Sequence, residues 1–172
     1  MTTATDIHAL LNSMADDIRQ ELSDKKPLLV GIHTGGIWVA EALSELLGDG
    51  FFDAQMGTLN IAYYRDDFTR IGMHPQVAPS DLPFSVDDRH LLLVDDVVHS
   101  GRTVRAALNE LFDYGRPASV TLAVLIEREE GHELPIHADI VGESVSLSAD
   151  QQIKLSNNGS LQLEIITSGS HE

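Results

Sequence analysis

Two adjacent aspartates and the short polar loop after them are the residues of this chain best suited to chemistry. They lie in the stretch LLLVDDVVHSGRT (residues 91–103), in which four apolar residues precede Asp95 and Asp96. Two neighbouring carboxylates can accept hydrogen bonds from the vicinal hydroxyls of a ribose. The loop then offers the hydroxyl of Ser100 and, at Gly101, a residue that lets a ligand approach the backbone closely.

An anion site is expected directly after this loop. The first N–H groups of a helix that begins at Thr103 have no partner within the helix, so they can bind a phosphate. Carboxylates for a diol and N–H donors for a phosphate, one loop apart, fit a ribose 5-phosphate. The alternative is a purely structural pair of acids at a strand end, with Thr103 capping the helix. Because neighbouring strand side chains point to opposite faces, Asp95 and Asp96 could serve one ligand only where the strand gives way to the loop.

Strands and helices alternate along the chain around this stretch. Continuous apolar runs predict buried strands, and apolar residues at helical spacing predict helices. The predicted helices are 6–22, 37–47 and 103–114, and the predicted strands are 28–32, 57–64, 90–98, 119–127 and 138–142, with shorter ones around 152–155 and 161–166. This order is typical of an α/β fold with a central parallel sheet, in which ligands bind at the carboxyl ends of the strands.

The charge and composition restrict the class of protein. The 172 residues carry a net charge of −16 with only three Lys and eight Arg, so we expect the surface to repel nucleic acid. No apolar run approaches the roughly 20 residues that cross a bilayer, and the N-terminus lacks the pattern of a secretion signal. The absence of Cys favours a cytoplasmic location. The eight His include no pair at i, i+3 or i, i+4 spacing, so no structural zinc site is expected.

The stretch resembles the ribose-phosphate signature of type I phosphoribosyltransferases: an apolar strand, two acids, two apolar residues, a spacer, Thr or Ser, Gly, any residue and Thr. More of the chain resembles one family in that class, the PyrR proteins, over roughly residues 7–154. The segments that carry this resemblance are GIHTGGIWVAEAL, YYRDDF, VDDVVHSGRTVRAALNELFDYGRPASVTLAVLIER and ELPIHADIVG. The resemblance implies one domain over 1–172 with the type I phosphoribosyltransferase fold, a mobile lid loop at about 65–88 and a hood segment at about 127–155.

The activity that the resemblance implies is that of a uracil phosphoribosyltransferase. Uracil and phosphoribosyl pyrophosphate (PRPP) would give UMP and pyrophosphate, with Mg²⁺ bridging the ligand near Asp95 and Asp96. Arg65 would join these two acids as a catalytic residue. The resemblance also implies a role in regulating pyrimidine synthesis and a homo-oligomer, either a dimer or a tetramer.

The resemblance further assigns four groups of site residues. The ribose and 5-phosphate would be bound by Asp95, Asp96, Val97, Val98, His99, Ser100, Gly101, Arg102 and Thr103. The pyrophosphate loop would be His33, Thr34, Gly35 and Gly36. The lid would begin with Arg65, Asp66, Asp67 and Arg70. The residues facing the base would be Glu127, Arg128, Ile140, Val141 and Gly142.

Two departures from the family pattern change what is expected. The family's pyrophosphate loop usually reads Lys or Arg, Thr, Arg, Gly, whereas residues 33–36 read HTGG. Loss of a charge-assisted hydrogen bond costs about 1.5–3 kcal/mol, so pyrophosphate should bind more weakly. Basic family residues are also replaced by His132, His137 and Glu143. Together with the net charge, these changes argue against mRNA binding through the family's usual surface.

Two alternative functions stay open. The first is a regulator that senses nucleotides, binding UMP or PRPP with little or no turnover. The second is a phosphoribosyltransferase that uses a purine base. An assay for nucleotide formation from uracil or from hypoxanthine would distinguish these functions.

Overall fold

The structure, a computed structural model, describes residues 6–61 and 80–169. Its elements, in chain order, are α1 (Ile7–Leu22), β1 (Leu28–Ile32), α2 (Gly35–Leu47), β2 (Gly57–Leu59), β3 (His90–Val98), α3 (Arg102–Tyr114), β4 (Ser119–Arg128), β5 (Ile140–Val145), β6 (Gln151–Asn157) and β7 (Leu161–Thr167). The first five strands form a parallel sheet in the order β2-β1-β3-β4-β5. The predicted α/β fold with a central parallel sheet is confirmed.

The helices cover both faces of this sheet. On one face, α1 and α2 bury Met14, Ile18 and Leu43 against side chains such as Leu92 of β3. On the other face, α3 packs on the alternate residues of β3. Burial on both faces explains why the central strands read as unbroken apolar runs instead of alternating polar and apolar residues. No helix within the described ranges is long and apolar enough to cross a bilayer.

The C-terminal strands β6 and β7 form an antiparallel hairpin outside the main sheet. Leu155 is buried in the cluster beneath α1 and α2, and Ile153 and Leu163 pack against the same cluster. The hairpin is therefore attached to the α1–α2 face. The sequence predicted two short strands here but not their pairing.

The segment predicted as a lid is only partly described. Arg65, Asp66, Asp67 and Arg70 lie outside the described residues, and β2 ends at Leu59, where the sequence predicted a strand continuing to 64. The described end, residues 80–88, is held against the fold. The backbones of Asp81 and Thr58 exchange two hydrogen bonds of 2.8 Å, and Val86 is fully buried. Residues 80–88 of the predicted lid are therefore packed against the sheet in this structure.

Candidate active site

Strand β3 extends past its neighbour β1, and the acid pair lies on this extension. Pairing between β1 and β3 ends at Gly31 and Val94, whereas pairing between β3 and β4 continues to Val98 and Glu127. Residues 95–98 therefore project beyond β1 at the carboxyl edge of the sheet. The predicted strand at 90–98 is confirmed, and β4 keeps β3 in strand conformation for two residues beyond the acids.

The strand is irregular at the acids themselves. Asp96 has no paired residue on β4. The Asp96 N–H donates to Asp95 Oδ1 and the Val97 N–H donates to Asp96 Oδ1, each at 2.8 Å. The carboxylates therefore replace the missing backbone partners. This irregularity supplies the local break in the strand that two adjacent acids need to serve one ligand.

Ionising both acids of the pair is electrostatically unfavourable. Asp95 is 4% exposed. Burial raises the pKa of Asp95 well above its ordinary value, and the nearby negative charge of Asp96 and a hydrogen bond between the two side chains raise it further, although the Asp96 N–H opposes this. Paired carboxylates at such a position are stabilised by a cation or by hydroxyl donors. The electrostatics therefore favour a ligand that brings one or both.

The start of α2 approaches the acid pair closely. A Cβ on Gly35 would collide with Asp96 Oδ2, and a Cβ on Gly36 would lie 2.5 Å from the carbonyl oxygen of Val94. Both glycines therefore let the helix start against β3. Thr34 precedes the helix and makes no side-chain capping bond. The first N–H groups of α2 thus point towards the region beside Asp96, where the helix dipole favours an anion.

The rest of the predicted pyrophosphate loop joins β1 to this helix. His33 is half-buried, its N–H donates to the Leu59 carbonyl oxygen at 2.8 Å, and the His33–Thr34 peptide bond is cis. The loop is thereby tied to β2 on one side and faces the acids on the other. The structure brings Gly35 and Gly36 of this loop against the acid pair, and His33 and Thr34 precede them directly in the chain.

A second helix start lies on the other side of the acids. Gly101 adopts a φ of +92° before α3, a conformation that a residue with a side chain rarely takes. The Arg102 N–H donates to Ser100 Oγ at 3.2 Å. A cavity of about 80 Å³ lies at this turn; its lining residues are Val97, Val98, His99, Ser100, Gly101, Thr103 and Val104. Six of the nine residues predicted to bind the ribose and 5-phosphate line this cavity, and two more are the acids themselves.

The β4–β5 loop (residues 129–139) lies over this turn. The N–H groups of Glu133 and Leu134 donate to the Ser100 carbonyl oxygen at 3.0 and 3.2 Å. The guanidinium of Arg102 forms an ion pair with Glu133. The side chain of Arg102, predicted to bind the 5-phosphate, is thus directed to Glu133, while its backbone remains part of the turn. Sequence reasoning missed Glu133, because nothing in the pattern placed this loop on the turn.

A larger cavity opens beside the turn at the end of β4. Arg128 is 8% exposed and pairs with Glu130 at 2.8 Å, and its Nη1 lies 3.4 Å from His99 Nδ1. Burial opposes ionisation of Glu130, but hydrogen bonds from Arg128 and the Leu147 backbone outweigh it and lower the pKa of this carboxyl. The cavity has a volume of about 580 Å³; its lining residues are Val97, His99, Arg128, Glu130, Gly131, Leu147, Ala149, Gln151, Gln152 and Ile153.

The residues predicted to face the base are divided by the structure. Glu127 and Arg128 lie at the carboxyl edge, beside the turn. Ile140 is 2% exposed in the cluster beneath α1, and a Cβ on Gly142 would collide with the Leu125 carbonyl oxygen. Val141 packs against the cluster on the α3 face. These three β5 residues contribute to the packing, because β5 starts at mid-sheet and only its later residues reach the edge. Their role at the base stays a prediction.

Comparison with known proteins settles the family. A family model described as the phosphoribosyl transferase domain matches residues 3–155. A protein of Nitrosococcus oceani named bifunctional protein PyrR is 59% identical over 162 residues, which are 92% of this chain and 90% of the relative. The chain belongs to the PyrR family. A second PyrR relative, from Pseudomonas paraeruginosa, is 57% identical over 158 residues, covering 90% of this chain and 91% of the relative.

Solved structures similar to this PyrR family member confirm the type I phosphoribosyltransferase fold. A hypoxanthine-guanine-xanthine phosphoribosyltransferase superposes with a TM-score of 0.64 at 20% identity, covering 85% of this chain and 80% of the other. The hypoxanthine phosphoribosyltransferase of Trypanosoma cruzi gives a TM-score of 0.64 at 22% identity, covering 84% and 79%. At such identities the likeness establishes the fold alone, so the choice of base must be argued from the PyrR relatives and from the site.

Proposed function

We propose that this PyrR family member transfers the phosphoribosyl group of PRPP to uracil, giving UMP and pyrophosphate, and takes part in regulating pyrimidine synthesis. One observation carries the proposal. The starts of α2 and α3 lie on either side of the acid pair at one edge of the sheet. PRPP has the same order of groups: a diphosphate, a ribose diol and a 5-phosphate.

Each part of PRPP has a chemically matched part of this edge. The 5-phosphate fits the 80 Å³ cavity at the turn before α3, where the first helical N–H groups act as donors. Asp95 and Asp96 accept hydrogen bonds from the ribose hydroxyls. The diphosphate lies at the start of α2, where Thr34 and the backbone of Gly35 and Gly36 provide donors. His33 adds an imidazole at the same loop.

The reaction requires charge stabilisation and no nucleophilic side chain. The C1–O bond to the diphosphate breaks as the bond from uracil N1 to C1 forms, and N1 loses its proton. Positive charge develops on the ribose ring in the transition state, and the carboxylates of Asp95 and Asp96 stabilise it. The helix starts stabilise the opposite charge on the leaving pyrophosphate. We assign Arg65, at the start of the predicted lid, to the same charge on the pyrophosphate.

The acid pair also fits a magnesium ion. Mg²⁺ prefers oxygen ligands and keeps several waters, so it binds through one or two carboxylates together with substrate phosphates. Asp95 and Asp96 supply such oxygen ligands, and the charge of a bound cation would offset the burial and the repulsion by Asp96 that raise the pKa of Asp95. The ion, when bound with PRPP, would neutralise charge on the diphosphate. Asp95 and Asp96 are the residues that would hold it.

The uracil ring is assigned to the 580 Å³ cavity at the end of β4. This cavity adjoins the phosphate turn through His99 and is bounded by the start of β6. Its polar wall contains Arg128 and Glu130, which neutralise each other, so the base meets a polar but nearly uncharged surface. A neutral pyrimidine suits such a surface. Glu127 and Arg128 retain their predicted role near the base.

A specific observation also favours the second candidate, a nucleotide sensor with little turnover. The pyrophosphate loop contains no Lys or Arg, because residues 33–36 are His, Thr, Gly and Gly. UMP lacks a diphosphate, so its binding would not depend on these missing cations. Weak turnover with tight UMP binding would then result.

The deciding experiment is a turnover assay with Mg²⁺, PRPP and either uracil or hypoxanthine. UMP from uracil supports the proposal, and loss of at least 100-fold in rate in Asp96→Asn assigns it to this site. Asp113→Asn, an exposed acid on α3, is the matched control and should retain full activity. Thermal stabilisation by UMP without turnover would favour the sensor, and IMP from hypoxanthine would favour a purine enzyme.

RNA binding is tested separately. Electrostatic binding to RNA is strongest at low salt, so a pyrimidine leader transcript should be titrated there. The net charge of −16 predicts weak binding by the apoprotein. Tight, UMP-dependent binding would show that a local surface overcomes the overall charge.

A further inference from the structure

We propose that Glu127, His132 and His137 form a binding site for a single Zn²⁺ ion at the carboxyl edge of β4. One ligand atom from each of these residues lies within 4.8 Å of the others. His137 Nδ1 lies 3.9 Å from Glu127 Oε1, and the two imidazole rings lie 5.0 Å apart at an angle of 32°. The site is distinct from the acid pair, and it shares only Glu127 with the residues assigned to the region of the base.

The hydrogen bonding of His132 prepares one ligand. Its Nε2 lies 2.8 Å from the Arg128 carbonyl oxygen. A carbonyl only accepts hydrogen bonds, so Nε2 must carry the proton. In the neutral ring, Nδ1 then holds a lone pair, and this atom is buried with no hydrogen-bond partner among the described residues. A histidine whose second nitrogen donates to a backbone carbonyl is the common arrangement of a metal ligand.

The other two residues complete a set suited to zinc. Glu127 has 16% of its side chain exposed and already orders the β4–β5 loop, because its Oε1 accepts the Ala138 N–H at 3.2 Å. The side chain of His137 is 73% exposed and can rotate towards the other two. Two imidazoles and one carboxylate are the ligands of many zinc sites with an open fourth position, whereas Mg²⁺ prefers oxygen alone.

The site would join β4 to the loop that covers the phosphate turn. Glu127 belongs to β4 and is paired with Val98, while the two histidines belong to the β4–β5 loop. Between those histidines, Glu133 and Leu134 bind the Ser100 carbonyl oxygen. A bound ion would therefore close the loop on itself at the point where it contacts the turn. Such a closure should stabilise the folded chain, because the ion binds only when these three residues are brought together.

The test is a calorimetric titration of the chelator-treated full chain, prepared without a histidine tag, with Zn²⁺. We expect one ion per chain, and at least tenfold weaker binding in both His132→Ala and His137→Ala. His8→Ala, an exposed histidine on α1, and Asp96→Asn, which alters the acid pair, are controls that should bind as the parent chain does. X-ray absorption should give Zn–N distances of about 2.0–2.1 Å from two imidazoles.

The outcomes separate this site from nonspecific binding. His137 is exposed, so its variant should fold normally and its loss of binding is attributable to the ligand. Unchanged affinity in His137→Ala, an equal loss in His8→Ala, or loss of binding in Asp96→Asn would each overturn the proposal. A rise in the melting temperature with Zn²⁺ that disappears in His137→Ala would support it. Zinc binding is measured without substrate, so its failure would leave the transferase assignment intact.

Discussion

The two neighbouring glycines at the start of α2 should respond to the same substitution in different ways. Gly35 faces the Asp96 carboxylate, and Gly36 faces the backbone of β3. Gly35→Ala would push against the end of a side chain that can rotate. Gly36→Ala would push against a carbonyl oxygen that cannot move without shifting the helix or the strand. The pair therefore separates a contact with the Asp96 side chain from the packing of α2 on the β3 backbone.

The contact at Gly36 gives the size of the expected loss of stability in Gly36→Ala. At Gly36 the added Cβ would lie 2.5 Å from the Val94 oxygen, about 0.9 Å inside the ordinary contact limit of 3.4 Å. Overpacking of this kind costs about 1–3 kcal/mol, and the gain in helix propensity offsets about 0.5–1 kcal/mol. A net loss of about 1–2 kcal/mol lowers the melting temperature of a chain of this size by about 2–8 °C.

For Gly35→Ala the loss appears in catalysis. The Asp96 carboxylate must rotate away from the start of α2, and it then loses a charge-assisted hydrogen bond to the ribose. This loss amounts to about 1.5–3 kcal/mol, or about a 10- to 150-fold fall in kcat/KM for PRPP. The melting temperature should change little, because the gain in helix propensity is offset by loss of the 2.8 Å hydrogen bond from the Val97 N–H to Asp96 Oδ1.

The measurements are thermal unfolding and the initial rate of UMP formation over a range of PRPP concentrations. Gly36→Ala should be less stable, and its KM for PRPP should also rise, because a shifted α2 moves the N–H groups assigned to the diphosphate. A folded Gly35→Ala protein with kcat/KM within threefold of the parent would refute the placement of Asp96 at the ribose. A Gly36→Ala protein as stable as the parent would refute the close packing of α2 on β3.

Three further substitutions test other parts of the site. Asp95→Asn should become more stable relative to the parent as the pH rises from about 4 towards neutrality. The pKa of Asp95 is raised in the folded state, so the unfolded parent releases this proton first and the parent loses stability over that interval. Urea unfolding at several pH values measures the difference in stability, and a difference that does not change with pH would contradict the prediction. Gly101→Ala should lower the melting temperature by about 2–8 °C and raise the KM for PRPP, since φ is +92° and the new Cβ would lie 3.4 Å from Leu134. Arg102→Ala should change the free energy of unfolding by less than about 1 kcal/mol, because the ion pair of Arg102 with Glu133 is exposed. A raised KM for PRPP in this variant would show that the Arg102 guanidinium leaves Glu133 to bind the substrate.

The sequence predicted the sheet well because its central strands are buried on both faces. Continuous apolar runs around Leu92 and Val124 can hardly be placed anywhere else. The acid pair and the phosphate turn were also predictable, because a strand, two acids and a glycine turn form a local pattern. What was missed is non-local: the pairing of β6 with β7, and the position of the β4–β5 loop on Ser100.

The two histidines of the proposed zinc site show what a rule based on spacing leaves out. His132 and His137 are five residues apart, a spacing that places them on different faces of a helix and of a strand. They lie in an irregular loop instead, where Ile136 N donates to the Leu134 carbonyl oxygen and the chain turns back on itself. Their rings therefore meet, although a rule based on helical spacing excluded them as a metal pair.

The same two histidines stand where the PyrR pattern typically has arginine, and this suggests a link between zinc and RNA. A Zn²⁺ ion held by one carboxylate and two neutral imidazoles has a net charge of +1, so it restores part of the lost positive charge at the same place. We predict that a pyrimidine leader transcript binds at least threefold more tightly at low salt with zinc than with a chelator, and that His137→Ala removes the difference. Equal binding of the transcript with and without zinc would mean that the ion stabilises the loop and has no part in RNA binding. An equal effect of zinc on His137→Ala would place the ion elsewhere on this acidic surface.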